Sequence, residues 1–180
     1  MKRTFFAIPV ISKEHRLLQK AMKPIVQQLG DTVQWIPEKK WHVTVCFLGN
    51  VEDHTIEYLL QAAEKISCHT KRFIININKI SEFPSLHSRI IAAHLDLHKS
   101  LELLFNSLDA AAKTAGLPGE ARAYRPHITM AKFGRRKRRF DPVLFEKFTL
   151  HAEELVLFHS KPTEQGSEYI PLKTFRFDKC

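Results

Sequence analysis

His42-Val43-Thr44-Val45-Cys46-Phe47-Leu48-Gly49 decides how this chain is read, because the same frame occurs twice. The second copy is His127-Ile128-Thr129-Met130-Ala131-Lys132-Phe133-Gly134. Both run His, apolar, Thr, apolar, two variable residues, apolar, Gly. They lie 85 residues apart (127 − 42), close to half of a 180-residue chain. An internal repeat of this kind puts one copy in each of two related halves. Both copies have the β-branched and apolar content of a strand and end on a turn residue. Along a strand, residues i and i+2 share a face. His42 and Thr44 therefore point one way, and Val43 and Val45 the other. His127 and Thr129 stand likewise against Ile128 and Met130. The apolar pair of each strand can pack under a helix, which leaves the polar pair facing a groove. Two such strands about a pseudo-twofold axis direct two imidazoles and two hydroxyls into one cleft.

Outward from these two strands the periodicity alternates. Residues 4–10 and 34–36 read as strands before the first copy. Between them, residues 14–29 carry Leu17, Leu18, Met22, Ile25, Val26 and Leu29 at helical spacing, with Gly30 as the C-terminal stop. Asp53 is positioned to cap a second helix whose apolar face is Ile56, Leu59, Leu60 and Ala63. Residues 73–80 alternate as a half-buried strand, and 89–95 form another. Residues 100–115 read as a third helix ending at Gly116, and 155–158 and 169–177 as closing strands. The expectation is an α/β (α+β) fold, one domain over residues 1–180.

Composition sets wide bounds. Hydrophobic residues are 44% and charged residues 26%, as in ordinary globular domains. No apolar run approaches the ~20 residues that span a bilayer. The basic N-terminal stretch, broken by Pro9, reads as a first strand rather than a signal peptide. Cys46, Cys68 and Cys180 are odd in number and fit no zinc spacing. They predict no disulfide framework and a reducing, cytoplasmic setting. Cys46, on an apolar strand, is expected to be buried. The net charge of +9 favours polyanionic partners without naming one.

Cleavage of a phosphodiester suits the paired motif. It needs a base to activate the nucleophile and an acid to protonate the leaving oxygen, flanking phosphorus roughly in line. Histidine titrates near pH ~6.5, so one ring can accept a proton while its partner donates. Each transfer is worth a factor of about 10²–10⁴. The Thr44 and Thr129 hydroxyls can donate hydrogen bonds to the non-bridging oxygens. Nothing in this scheme requires a metal or cofactor, and the sequence holds no His-Glu-x-x-His or Cys-x-x-Cys. The absence of a Gly-rich phosphate loop disfavours an ATP-dependent ligase. Near symmetry of the motifs leaves open which histidine is acid and which is base.

At these residues the chain resembles the 2H phosphoesterase superfamily, and within it the RNA 2′,3′-cyclic phosphodiesterases, also described as 2′-5′ RNA ligase-like. The resemblance extends to Arg3-Thr4-Phe5-Phe6-Ala7-Ile8, Trp35-Ile36-Pro37, Tyr124-Arg125-Pro126 and the closing Tyr169-Ile170-Pro171-Leu172. It implies a bilobal fold with two pseudo-symmetric lobes, antiparallel sheets flanking a central cleft and helices outside. It implies His42 as proton donor, His127 as proton acceptor, and Thr44 and Thr129 as phosphate ligands. The implied reaction opens an RNA 2′,3′-cyclic phosphate, on tRNA fragments among other ends, to a 2′-phosphate, with 2′-5′ ligation as its reverse. The implied enzyme is a monomer with no membrane association. Lys132 stands where the family often has Arg, and Cys46 where Lys is common; both departures bear on substrate preference.

Other residues extend the site. Arg125, held extended by Pro126, can reach the phosphate or lie on the rim. Phe47 and Trp35 can stack on a base or belong to the core. The run Arg135-Arg136-Lys137-Arg138-Arg139 is a solvated loop or a strand-steering patch at the cleft mouth. The same motifs would serve an enzyme of 2′,5′-oligonucleotides or small cyclic nucleotides. A non-enzymatic RNA-binding module would keep the groove and bind without either histidine.

Overall fold

A computed structural model describes residues 1–180 apart from 86–87, 135–139, 165 and 180, and the side chain of Asn78. The basic run 135–139 thus lies outside the described residues. Among the described residues nine strands and three α-helices are formed: β1 (Lys2–Pro9), α1 (Ser12–Leu29), β2 (Val33–Trp35), β3 (His42–Val51), α2 (Asp53–Cys68), β4 (Phe73–Phe83), β5 (Ile90–Leu95), α3 (Lys99–Thr114), β6 (His127–Phe133), β7 (Val143–Ala152), β8 (Glu154–Thr163) and β9 (Gly166–Arg176).

The strand order is β7-β4-β5-β6-β3-β1-β8-β9, with β2 on β6. Outward from the central β6–β3 pair, β5 answers β1, β4 answers β8 and β7 answers β9. The two repeat strands are therefore the axis of the molecule. They meet at a single backbone pair, Val43–Ile128, antiparallel. Further contact is blocked because β2 takes the edge of β6 at residues 131–133. The lobe sheets consequently join at one point and flare apart from it. Two helices exchange halves, α1 packing on β7 and α3 on β3, while α2 packs on β9 and β8 of its own half.

Burial follows the sequence pattern. Val43 and Ile128 are fully buried, each contributing roughly 1.5–3 kcal/mol by leaving water. Cys46 is buried as expected, and burial, with the Asp109 and Glu120 carboxylates adding, pushes its thiol up to about 12. The thiolate, the reactive form, is thereby suppressed.

Three expectations change. Asp53 is the first helical residue rather than the cap, because its carboxylate turns to Lys2 on β1. β7 was not expected; it is an edge strand, half exposed, so its alternation is weak. Cys68 is disulfide-bonded, against the expectation of no disulfide. Here the end of the chain folds back on the end of α2: the Asp178 amide donates to the Thr70 carbonyl, and the Arg72 amide to the Asp178 carboxylate. Sequence spacing does not register that approach.

Candidate active site

The two motif strands repeat in structure as well as in letters. From His42 and from His127 the burial runs identically for seven residues: half-buried, buried, half-buried, buried, buried, exposed, buried. Each strand also bulges at the third residue after its histidine. Ala7 pairs with Thr44 and Phe6 with Cys46, leaving Val45 extra. Ala92 pairs with Thr129 and Ile91 with Ala131, leaving Met130 extra. A bulge reverses the alternation beyond it. The fifth residues after the histidines, Phe47 and Lys132, are therefore the exposed ones. Phe5, opposite Phe47 in the ladder, has its ring 5.0 Å from His42, and cross-strand partners share a face. Phe47 thus shares the face of His42. It is 49% exposed, with the Arg3 guanidinium 5.2 Å from its ring centroid. Trp35 goes the other way: it packs on the core, and its indole donates to the Gly30 carbonyl.

Both imidazoles are held alike. His42 Nδ1 lies 2.7 Å from the Lys40 carbonyl, and His127 Nδ1 lies 2.9 Å from the Arg125 carbonyl. A carbonyl only accepts, so Nδ1 carries the proton in both rings. That leaves each Nε2 as the unprotonated atom of the neutral ring. His42 Nε2 lies 3.1 Å from the Thr44 hydroxyl, which donates to it. The Thr44 carbonyl in turn accepts from the Tyr124 hydroxyl, whose ring stacks on Phe105 of α3.

Aromatic rings surround both histidines. Phe5, Phe158 and Tyr169 enclose His42. That burial pushes its pKa down to about 4, against the Lys40 carbonyl and with the charge of His127 adding. His127 is also lowered, first by burial, opposed by the Arg125 carbonyl and reinforced by the Arg125 charge. Its cover is Phe83, stacked at 3.9 Å, with the Arg125 guanidinium 5.1 Å from the Phe83 ring centroid. Arg125 also donates to the Pro84 carbonyl. Across the strands, Lys79 pairs with His94 and His94 with His127, so a third histidine shares this face. His94 is fixed by the Ser81 hydroxyl at 2.9 Å.

His42, Thr44, His127 and Thr129 are thus assembled on the faces opposite Val43 and Ile128, with Phe47, Lys132 and Arg125 around them. Phe83, His94, Phe158 and Tyr169 were not singled out as site residues.

A family model described as "LigT like Phosphoesterase" matches the chain twice, over residues 9–92 and 95–169. The chain belongs to the LigT-like 2H phosphoesterases. The fold agrees: a Thermus thermophilus protein of known crystal structure superposes with a TM-score of 0.84, at 22% identity over 98% of each chain. E. coli LigT complexed with 3′-AMP gives 0.80, at 21% identity over 99% of each. A Bacillus subtilis (strain 168) protein named RNA 2′,3′-cyclic phosphodiesterase is 28% identical over 100 residues, 55% of each chain. That match spans about half the length of the relative. Among the described residues no helix is long and apolar enough to cross a membrane.

Proposed function

We propose that this LigT-like phosphoesterase opens RNA 2′,3′-cyclic phosphates to 2′-phosphates, with His42 as proton donor and His127 as proton acceptor. The observation that carries the reading is the paired tether. Both Nδ1 atoms are tied to the carbonyl two residues back, so each ring presents Nε2, the unprotonated atom, for proton transfer, with the Thr44 hydroxyl on that of His42. The Bacillus relative's name and the nucleotide bound to E. coli LigT support a nucleotide phosphodiester as substrate. The net charge of +9 supports an RNA.

In the forward step His127 Nε2 takes a proton from water as its oxygen bonds to phosphorus. The bond from phosphorus to the 3′-oxygen breaks, and His42 Nε2–H protonates that oxygen. Thr44 and Thr129 hydroxyls, with Lys132 and Arg125, face the non-bridging oxygens. A donor must first hold a proton, and burial keeps His42 neutral near pH 7 in the free enzyme. The substrate's own negative charge offsets that, since an adjacent anion favours the imidazolium. The proton is therefore loaded with the substrate. With a 5′-hydroxyl in place of water the same step, breaking the same bond from phosphorus to the 3′-oxygen, forms a 2′-5′ bond.

The test is hydrolysis of a short RNA ending in a 2′,3′-cyclic phosphate, in EDTA. Wild type should give the 2′-phosphate, and His42→Ala and His127→Ala should each lose about 10²–10⁴ in rate. Retention of activity in either variant, or inhibition of wild type by EDTA, would overturn the mechanism.

A further inference from the structure

A cavity of about 740 Å³ opens beside His42. Phe158 and Tyr169 line it. So do Lys39 and Lys40, from the short turn before β3, and Glu164 and Glu168, from the β8–β9 hairpin. Its size is that of a small-molecule site. The repeat shows how the two sides differ. Phe5 and Ile90 are 85 residues apart, as the two histidines are. Phe5 pairs with Phe158, and Ile90 with Phe83, so Phe158 and Phe83 are counterparts. Phe83 lies flat on His127, with centroids 3.9 Å apart and planes at 22°. Phe158 stands 6.4 Å from His42, tilted by 40°. Phe83 is thus laid flat against its histidine, whereas its counterpart Phe158 is tilted away from His42 and lines the cavity.

We propose that this cavity is the binding site for the base of the terminal ribonucleoside, taking a base with an amino donor such as cytosine in preference to uracil. This rests on the reading above. If His42 protonates the 3′-oxygen, the ribose lies against His42, and the attached base falls into the space beside it. Tyr169 and Phe158 supply π faces for a base. The two glutamates accept from an exocyclic amino group, as carboxylates accept from cytosine N4, and repel the O4 acceptor of uracil. Lys39 and Lys40 suit the phosphodiester leading upstream.

Two measurements separate this proposal from the parent reading. The first compares kcat/KM for cytidine and uridine 2′,3′-cyclic phosphates in wild type and in the double variant Glu164→Gln/Glu168→Gln. A wild-type preference for cytidine of about fivefold or more should collapse towards unity. The same preference in both proteins, or none in wild type, would refute the base assignment. The second is independent of turnover. Backbone amide resonances are followed on titration with cytidine 2′-phosphate and with inorganic phosphate. Cytidine 2′-phosphate alone should shift Lys39, Glu168 and Tyr169. Shifts instead around Phe83 and His94, or identical shifts with both probes, would overturn the cavity assignment. Absence of cyclic phosphate hydrolysis by wild type would sink the parent reading, while the titration would still decide the cavity.

Discussion

Replacing His42 by Asn should make the protein less sensitive to acid. In the folded protein, burial holds this ring near pKa 4, against 6.5 for an ordinary histidine. Between those values the unfolded chain binds a proton on the ring and the folded chain does not. The penalty is absent well above pH 6.5, grows as pH falls through the unfolded value, and levels off below the folded one. At pH 4.5 it amounts to roughly 2–3 kcal/mol, a sizeable part of the ~5–15 kcal/mol that holds a typical domain together. Asn has no titration in this range, and its carboxamide can donate to the Lys40 carbonyl where Nδ1–H did. The assay is urea unfolding of both proteins at pH 7 and pH 4.5. Every other titrating group is common to the two, so the difference of the differences isolates the ring. Wild type should lose about 2–3 kcal/mol more than His42→Asn over that interval. Equal losses, or an NMR titration placing His42 near 6.5, would refute the claim that the aromatic enclosure governs this histidine.

The pH optimum of kcat/KM should lie below 6.5, because both free-enzyme histidines are lowered. The optimum of kcat should lie higher, because a bound anion raises both; coincident profiles would contradict proton loading by substrate. Phe83→Ala should let water reach His127 and raise its pKa, moving the limb of kcat/KM that His127 governs upward; an unmoved profile would show that the stacked ring does not control desolvation. Thr44→Val and Thr129→Val should each lower kcat/KM by about 10- to 100-fold. Thr44→Val should be the worse, since that hydroxyl also bonds His42; changes under twofold would remove both from phosphate binding. Ile128→Ala, at the one junction of the lobes, should cost about 2–5 kcal/mol in denaturant unfolding. Leu144→Ala, at a residue 76% exposed, should fall within about 0.5 kcal/mol of wild type, and similar losses in the two would show that the junction is not special.

Much of the fold was legible because its two strongest signals are local. The helices announced themselves by apolar spacing and by Gly30 and Gly116 past their ends. The buried faces of β3 and β6 announced themselves by alternation as far as Thr44 and Thr129. Beyond those residues the alternation misleads, because the bulges at Val45 and Met130 turn Phe47 and Lys132 outward. β7 escaped because an edge strand with one half-wet face needs little pattern. The Cys68 disulfide escaped because the approach of segments far apart in the chain leaves no trace in residue spacing.

The sequence by itself determined the repeat, and so the two His-x-Thr faces: a period of two fixes which side chains share a face, whatever surrounds the strand. Only the tertiary structure decided what makes the two copies unequal. His42 is enclosed by three rings from β1, β8 and β9, whereas His127 is covered by Phe83 from β4. Desolvation and packing are sums over neighbours from distant parts of the chain, and no local pattern of letters carries that sum.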